Sequence, residues 1–483
     1  MIFPILTLIV FLPLVGAGLI LFIKERFVKI VALATTGVTL LLTLSLLFGF
    51  DLSSSSMQFV EKYTWIKGLG ISYYLGIDGI SLLMIVLGTL LCFVACIASW
   101  NVENRVRGYF LLFLLLETTV LGVFCALDFI LFYFFWELVL LPMYFLIGIW
   151  GGERREYAAI KFVIYTFAGS VFMLLAMLAI YFKSGLHTFD MIALAKAGLP
   201  LSFQKFAFWG IFLGLAVKVP IFPFHTWLPD AHVEAPTPVS MLLAGILLKM
   251  GTYGFIRLII PLVPDATYAY RVVLGGLGVV SIIYGALCAM SQSDFKRMVA
   301  YSSVSHMGYV ILGIASLTVI GVNGAVIQMV SHGLISAMFF YMVGDLLYNR
   351  LHTRMISEMG GLYTKIPVLA GILAFIAFAN LGLPGLSGFI GEILPLLGGF
   401  QTLTVLAAIA VPAAIITVGY HLWTLQRVNM GSAPEHYGTI PDIKWRELAV
   451  LVPLGIFVIA IGIYPNIALS WCSQTVAKLT GII

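Results

Sequence analysis

The stretch GLAVKVPIFPFHTWLPDA, residues 214–231, places one charge, Lys218, in an apolar run and then interrupts that run with prolines. Pro220 and Pro223 lack the backbone N–H that a helix needs, so the stretch predicts a broken helix. His225 follows the break within a few residues. Freed backbone groups and a buried ammonium group are stable only where they reach water or other polar groups. The stretch therefore predicts a polar interior within an apolar protein.

The composition identifies the surroundings of that interior. The chain has 483 residues, of which 61% are hydrophobic and only 10% are charged. Because such a small number of charges cannot cover a water-soluble surface, most of the chain must lie in a bilayer. The net charge of +5 indicates basic loops on one side of a membrane and does not suggest nucleic-acid binding.

Nothing in the sequence indicates a redox centre in this chain. Its five cysteines have neither metal-ligand nor disulfide-framework spacing, and we interpret them as small buried hydrophobic residues. There is no CxxC pair, no glycine fingerprint for a dinucleotide and no haem attachment motif. We therefore expect no cofactor and no metal in this chain.

Apolar runs long enough to cross a membrane recur through the whole chain. We count about fourteen, so the predicted fold is an all-α polytopic membrane protein. The apolar N-terminus has no basic n-region, which favours a first spanning helix over a cleaved signal. The runs are centred near residues 12, 40, 86, 117, 139, 172, 215, 246, 281, 306, 335, 382, 414 and 456.

The basic residues predict an orientation for these helices. Sixteen of the 26 lysines and arginines lie in one set of alternate loops, which the positive-inside rule places in the cytoplasm. Both termini then lie on the non-cytoplasmic side. The basic loops are 24–29, 101–107, 150–161, 291–297, 349–365 and 427–446.

A second break resembles the first. The sequence ANLGLPGLSGFIGEI, residues 379–393, interrupts the twelfth run with Pro384 and glycines and carries Glu392. The two breaks lie five helices apart, so a five-helix repeat would be inverted across the membrane, which is typical of transport folds. We predict helices 1–3 in residues 1–107, the two repeats in 108–262 and 263–430, and helix 14 in 431–483.

Six titratable side chains lie in the predicted spans, each on its own helix. Each costs roughly 2.5–3.5 kcal/mol at a helix centre. A lateral proton relay needs such a series of groups with comparable proton affinity, whereas a sodium path would favour oxygen ligands. Two alternatives stay open: a structural ion pair between Glu137 and Lys218, and hydrogen-bonded packing for each histidine. The six are Glu137, Lys218, Lys249, His306, His332 and Glu392.

Other polar residues are weaker candidates. Glu117 lies in the middle of a predicted span and is a candidate for lining a proton-uptake path, whereas Asp128 is better placed as a helix N-cap. His225 and its polar neighbours follow the first break, where a zinc site is conceivable. Three prolines and the lack of cysteine favour a proton-uptake funnel or a structured cap. These neighbours are Asp230, His232 and Glu234.

At these residues the chain resembles a known family. The motifs are WELVLLPMYFLIGIWGG, FPFHTWLPDAHVEAPTPVSMLLAGILLKMGTYG, DFKRMVAYSSVSHMGYV, SHGLISAMFFYMVGDLLY and GLPGLSGFIGEI. They closely resemble those of the antiporter-like M-type subunits of respiratory complex I, the mitochondrial chain 4 type. The similarity covers nearly the whole chain and is densest from residue 117 to about residue 427.

The resemblance implies a proton-translocating subunit in the membrane arm of a bacterial NADH–quinone oxidoreductase, in the inner membrane. It implies relay roles for Glu137, Lys218, Lys249, His332 and Glu392, the last where sister subunits typically have lysine. Flavin, iron–sulfur clusters and quinone are then expected in other subunits. The expected partners are protons, lipids, neighbouring antiporter-like subunits and the lateral helix of the distal one, which this chain lacks.

Three alternatives remain at this point. A cation/proton antiporter subunit of the multisubunit type shares this fold, and subunits that co-purify with the chain would distinguish it. A membrane-bound hydrogenase or ferredoxin-linked relative also fits, because the electron donor binds elsewhere. In the third, the chain is a structural scaffold with fully paired charges, so that loss of Lys249 would impair assembly and not pumping.

Overall fold

Long helices dominate the computed structural model, which describes residues 4–434 and 437–481. The 23 helices in these ranges are α1 Ile5–Phe22, α2 Val28–Gly49, α3 Gly79–Ala98, α4 Val106–Cys125, α5 Phe129–Leu138, α6 Leu140–Trp150, α7 Arg155–Ser184, α8 Met191–Leu194, α9 Leu201–Lys218, α10 Trp227–Glu234, α11 Thr237–Leu242, α12 Leu248–Gly254, α13 Ile260–Leu262, α14 Pro264–Met290, α15 Phe295–Ser316, α16 Val319–Tyr341, α17 Tyr348–Leu351, α18 Leu362–Lys365, α19 Pro367–Asn380, α20 Ser387–Thr402, α21 Thr404–Asn429, α22 Trp445–Ile463 and α23 Asn466–Thr480.

Twelve helical segments within the described ranges are long and apolar enough to cross a membrane. The predicted polytopic all-α fold is therefore confirmed. Two further apolar segments, 201–234 and 367–402, are broken. Three features stay predictions: the exact number of crossings, the domain boundaries and the inversion of the repeats. The predicted side of each terminus also stays a prediction, because residues 1–3 and 482–483 lie outside the described residues.

Burial differs sharply between the spans. The apolar cores of Thr237–Leu262 and Val319–Leu351 are completely buried by the rest of the chain, and that of Phe295–Ser316 is almost so. By contrast, only about a third of the residues in the apolar cores of Glu25–Gly49 and Thr404–Asn429 are buried. Lys249, His306 and His332 therefore lie on the central helices of the molecule, away from lipid.

The first predicted break is present and is held in place by side chains. Helix α9 ends at Lys218 and α10 begins at Trp227. The Trp227 indole N–H donates to the carbonyl of Val217 at 2.8 Å, and Ser281 Oγ accepts from the Phe222 amide at 3.1 Å. These bonds satisfy backbone groups that the prolines release from the helix.

The second predicted break is also present. Helix α19 ends at Asn380 and α20 begins at Ser387. Gly382 and Gly385 have φ angles of +79° and +93°, in the region that favours glycine. The glycines that flank Pro384 therefore provide the sharp turn between the two half-helices.

Two spans contain wide turns that the sequence analysis did not predict. One π-helical segment, Leu243–Leu247, joins α11 to α12, and a second, Phe255–Ile259, follows α12. A third, Met342–Leu347, links α16 to α17. Such turns are often found at functional sites, because they redirect backbone carbonyls.

A β-hairpin and a terminal helix lie at the face opposite the basic loops, and neither was predicted. Strands β1 Gln58–Ile66 and β2 Ile71–Ile77 are antiparallel. Lys62 Nζ lies 2.6 Å from Asp190 Oδ2, which ties the hairpin to the loop before α9. Helix α23 packs at the same face, where Thr475 Oγ1 accepts from the Gly79 amide at 3.3 Å. Together they cover one end of the helix bundle.

Asp128 has the predicted capping role. Its Oδ1 accepts from the amides of Ile130 at 2.9 Å and Leu131 at 3.3 Å, at the start of α5. Its Oδ2 accepts from the Ser72 amide in β2 at 3.0 Å. Asp128 therefore also connects the hairpin to the helices, and burial of its carboxyl group raises its pKa.

Candidate functional site

Lys249 and His332 are in direct contact at the centre of the molecule. Lys249 Nζ lies 2.7 Å from His332 Nδ1 and also donates to the carbonyl of Ala244 at 2.7 Å. Ala244 belongs to the π-helical segment Leu243–Leu247, so the wide turn places an acceptor beside the lysine. Lys249 is fully buried and His332 is 2% exposed. One proton can be shared between two such nitrogens.

His306 and Glu392 continue from this contact. The ring centroids of His306 and His332 are 5.6 Å apart, and His306 Nδ1 lies 3.0 Å from Glu392 Oε1. Both residues are buried. The structure therefore brings together four of the predicted titratable residues, which lie on four different helical segments.

Polar side chains border this row. Gln328 Nε2 lies 3.5 Å from His306 Nδ1, and Ser331 Oγ lies 2.8 Å from Ser387 Oγ. Glu392 also lines a cavity of about 340 Å³ between α20 and α21, together with Gly382 at the second break. Glu392 is thus the member of the row that reaches a cavity.

Glu137 and Lys218 are not an ion pair in this structure. No carboxylate oxygen of the described residues lies within hydrogen-bonding distance of Lys218 Nζ, and Glu137 Oε1 is equally without a partner. Lys218 Nζ instead lies 5.2 Å from the ring centroid of Trp136 and 5.8 Å from that of Phe162. The aromatic faces stabilise the cation. A static structural ion pair does not describe this geometry.

Glu137 lies beside an interruption of the helix that carries it. Helix α5 ends at Leu138 and α6 begins at Leu140, with Pro142 one turn later. The missing N–H of Pro142 explains the interruption. Glu137 is only partly buried, so it lies near the surface of the chain, whereas Lys218 is 2% exposed.

The polar residues after the first break are largely tied to α7. Lys161 Nζ lies 2.6 Å from Asp230 Oδ2, and Glu234 Oε2 accepts from the Arg154 amide at 3.0 Å. His225 is different, since both its ring nitrogens are buried without a hydrogen-bond partner in the described ranges. The arrangement resembles the expected cap or funnel, and the described residues contain no group of three metal-ligating side chains.

His232 connects this region to the centre. Its ring stacks on Phe340 at 4.3 Å, and neither ring nitrogen has a protein partner among the described residues. Lys296 Nζ donates to the carbonyl of Ala235 at 2.8 Å. Beyond Lys296 lies a cavity of about 510 Å³, which Glu234 and Lys296 help to line.

Glu117 lies apart from the row. It is completely buried, and neither carboxyl oxygen has a hydrogen-bond partner within residues 4–434 and 437–481. Its helix, α4, packs against α3. No contact connects it to Lys249, so its predicted role in proton uptake stays a prediction.

Arg257 is a buried charge that the sequence predictions did not place within a span. Arg257 lies inside the span Thr237–Leu262 and is 6% exposed. Its Nη2 lies 2.6 Å from Asp78 Oδ2, and its Nε donates to Tyr253 Oη at 3.0 Å. Pro261, four residues after Arg257, is typical of a helix end, so the sequence pattern favoured a position for Arg257 outside the span. The Asp78–Gly79 pair before α3 was the available signal for a carboxylate at a helix start.

His421 and Asn380 were also missed. His421 is 1% exposed on α21, and its Nε2 lies 2.9 Å from Nδ2 of Asn380, the last residue of α19. A histidine in an otherwise apolar span was the available signal.

The row from Lys249 to Glu392 can hold and move protons. Every member changes charge by gaining or losing a proton. Neighbouring members are in contact, except for the two imidazole rings, which are tilted to each other with their centroids 5.6 Å apart. Because the row consists of two imidazoles, one amine and one carboxyl group, it is poorly suited to a hard cation, which prefers several oxygen ligands. Its burial excludes bulk water, so protons cannot cross freely.

The fold recurs in known proteins, some of which also have a related sequence. The family model described as NADH:quinone oxidoreductase/Mrp antiporter, TM, matches residues 126–417. NADH-quinone oxidoreductase subunit M of Rhodobacter capsulatus is 44% identical over 98% of this chain and 96% of its own length. A chain of respiratory complex I from Thermus thermophilus with bound NADH superposes with a TM-score of 0.90 and 31% identity, covering 99% of this chain and 100% of that one.

A structure of the Mrp complex from Dietzia sp. DQ12-45-1b matches with a TM-score of 0.87, over 98% of this chain and 97% of that one. At 22% identity, this likeness shows the shared fold alone. The family model covers more than half of the chain, and the Rhodobacter protein is similar along almost its whole length. This chain therefore belongs to the NADH:quinone oxidoreductase/Mrp antiporter family of membrane proteins.

Proposed function

We propose that this chain is the M-type proton-translocating subunit of an NADH–quinone oxidoreductase. The observation that carries the proposal is the buried row Lys249–His332–His306–Glu392, in which the Lys249 and His332 nitrogens are 2.7 Å apart and His306 and Glu392 are 3.0 Å apart. The similarity to subunit M of Rhodobacter capsulatus supplies the complex in which it works.

Protons move along the row by changes of charge on neighbouring groups. A proton on Lys249 passes to His332 Nδ1, then through His306 to Glu392. Each transfer neutralises a cationic donor. It charges an imidazole acceptor in the first two steps and neutralises the Glu392 carboxylate in the last. Uptake occurs from the face with the basic loops, through the 510 Å³ cavity beside Lys296 and past His232. Glu392, at its own cavity, is the output group.

Glu137 and Lys218 act as the control of this row. Lys218 is held by aromatic rings without a carboxylate, so its proton affinity depends on charges nearby. Because Glu137 lies partly at the surface of the chain, a neighbouring subunit can influence it. A change of charge there alters the proton affinity of Lys218 and then that of Lys249. His225 and Glu117 serve uptake.

The rest of the complex supplies what this chain lacks. NADH, flavin, iron–sulfur clusters and quinone bind to other subunits, and redox energy arrives as changes in charge and packing. The partners are the neighbouring antiporter-like subunits, the lateral helix of the distal one, and lipid. The complex lies in a bacterial inner membrane, with the basic loops cytoplasmic and both termini on the other side. The broken spans belong to two inverted repeats, 108–262 and 263–430.

A cation/proton antiporter subunit is the second candidate, favoured by the likeness to the Mrp complex. Affinity purification of the tagged chain distinguishes the two, because NADH-oxidising and quinone-binding subunits co-purify only under the first proposal. Co-purification with antiporter subunits alone would overturn the proposal that the chain belongs to an NADH–quinone oxidoreductase.

Replacement of Lys249 tests the relay itself. Lys249→Met keeps most of the side-chain volume and removes the proton carrier. We expect an assembled complex that has lost coupled proton uptake in reconstituted vesicles, whereas Lys249→Arg, which keeps the charge, retains assembly and loses transfer because arginine does not deprotonate. Normal pumping by an assembled Lys249→Met complex would contradict the relay.

A further inference from the structure

A buried polar stripe runs along α21, a helix that is otherwise largely exposed to lipid. Thr417, His421, Thr424 and Asn429 are each no more than 2% exposed, whereas Ile415 is 75% exposed on the opposite side. The i, i+4, i+7 spacing places Thr417, His421 and Thr424 on one inward face. Asn429, five residues after Thr424, is buried where the helix ends. Nothing in the row from Lys249 to Glu392 uses this stripe.

The stripe contains polar atoms that the protein does not satisfy. His421 Nδ1 and Asn429 Oδ1 are buried and have no hydrogen-bond partner within the described residues. Thr424 lies between them, and its Oγ1 is 3.3 Å from the sulfur of Met298. Buried polar groups of this kind are normally satisfied by water when protein partners are lacking. The unsatisfied atoms of His421 and Asn429 are therefore suited to binding water.

His421 lies in the inner half of the stripe and packs against the helices that carry the relay. Its ring stacks on Phe339 of α16, the helix of His332, at a centroid distance of 5.6 Å. One turn along α21, Thr424 contacts Met298 of α15, the helix of His306. Asn380 Nδ2 lies 2.9 Å from His421 Nε2, and an amide NH₂ only donates, so Nε2 accepts and Nδ1 carries the proton. In this arrangement the neutral His421 ring, beside the second break, has its proton on Nδ1.

The outer end of the stripe reaches the face with the basic loops. Asn429 is the last residue of α21, and its Nδ2 donates to the carbonyl of Ala370, in the first turns of α19. From His421 to Asn429 is eight residues, about 12 Å of helix. This path runs through the second half of the chain, whereas the cavity beside Lys296 opens between the first half and α15.

We infer that the stripe on α21 is a second proton-uptake branch, which delivers protons through His421 to the His306–Glu392 end of the relay. A proton from water protonates the His421 ring, and the Asn380 amide rotates to offer Oδ1 to the second N–H. The ring becomes neutral again when it releases a proton toward His306 and Glu392. This inference rests on the proposed function, because the branch has a role only if the relay exists.

Two substitutions separate proton transfer from packing at His421. In the complete complex, His421→Gln keeps a side chain that can hydrogen-bond to Asn380 but cannot carry a proton. We expect an assembled complex whose proton-uptake rate falls at least about tenfold, in line with the loss of a positioned proton carrier. Leu422→Ala, one residue away on the lipid side, is the matched control and pumps normally.

Water access provides a test that needs no change at His421. In a background without the native cysteines, Thr424→Cys and Leu422→Cys are exposed to a small charged thiol reagent added from the face with the basic loops. We expect Thr424→Cys to react and Leu422→Cys to remain unmodified, because only the stripe holds water. An unreactive Thr424→Cys would overturn the branch, even if His421→Gln fails to assemble.

The two proposals fail in different patterns. If Lys249→Met loses pumping while His421→Gln pumps like the parent, the relay stands and His421 is only a packing residue. If Lys249→Met itself pumps normally, the relay fails and the branch fails with it.

Discussion

At the scale of single residues, the contact between Lys249 and His332 has the clearest chemical meaning. The nitrogens are 2.7 Å apart in a fully buried site, where two positive charges cannot both persist. The pair can therefore hold one excess proton between its two nitrogens. Under the proposed function, a change of charge nearby moves that proton from one residue to the other, and the pair acts as a switch for the row.

Glu137 is expected to set the charge that Lys218 experiences. Glu137→Gln removes the charge and keeps the shape of the side chain, so assembly should be unaffected. We expect coupled quinone reduction and proton pumping to fall by about tenfold or more, because Lys218 loses the anion that modulates its proton affinity. Proton uptake per electron pair in reconstituted vesicles measures the effect.

The matched control for this experiment is Glu103→Gln, in the exposed loop between α3 and α4. It removes a carboxylate of the same kind without touching the spans or the cavity beside Lys296. An assembled Glu137→Gln complex that pumps like the Glu103→Gln complex would show that Glu137 has no functional link to Lys218.

Glu392 is expected to tolerate a change of charge sign better than the loss of a proton carrier. Glu392→Lys retains a titratable group beside the cavity, so part of the pumping should remain. Glu392→Ala leaves His306 Nδ1 without its 3.0 Å partner and ends the row, so most pumping should disappear. Proton pumping is measured in reconstituted vesicles, and assembly of each variant is checked separately. A fully active Glu392→Ala complex would show that protons leave the row at another residue.

At the scale of elements, the two breaks and the isolated charges were predictable from sequence. Pro220 and Pro384 have direct backbone consequences, and a charge such as Lys218 in an apolar run is conspicuous. The contacts between charges were not predictable, because they depend on π-helical turns such as Leu243–Leu247 that no residue type specifies. The β-hairpin was missed because short amphipathic strands resemble loops in a membrane protein.

Arg257 illustrates why helix ends are the hardest part of such predictions. Its ion pair with Asp78 joins α3 to the span Thr237–Leu262 and is buried on both sides, with side-chain exposures of 7% and 2%. Sequence spacing alone cannot pair residues that lie so far apart in the chain. The pair ties together the ends of two central helices at the face opposite the basic loops.

This pair should behave as a buried clamp. Asp78→Leu or Arg257→Met alone leaves an uncompensated buried charge and should cost about 3–5 kcal/mol of stability. The double variant removes both charges and should recover much of the loss. Thermal dissociation of the purified complex measures the three variants. Single variants as stable as the parent would show that water reaches these side chains and that the ion pair contributes little to stability.

At the scale of the whole molecule, the distribution of burial agrees with a lateral relay. The most deeply buried spans are those that carry Lys249 and His332. Under the proposed function, the relay through these residues runs across the molecule, and protons need separate paths to either face. The side on which each path opens depends on the orientation of the chain.

That orientation is the last prediction. The charged loop at Arg154 and Arg155 should face the cytoplasm, and the loop at residues 53–56, beside the hairpin, should face outward, because basic loops are retained on the cytoplasmic side. In a background without native cysteines, Ser53→Cys in intact cells should react with an impermeant thiol reagent, whereas Arg154→Cys should react only after the membrane is opened. Both positions are exposed, so each serves as the other's control for reactivity. Labelling of Arg154→Cys from outside would show that the molecule has the opposite orientation in the membrane. The cavity beside Lys296 would then be an exit, and every proton transfer from Lys249 to Glu392 would run in the reverse direction.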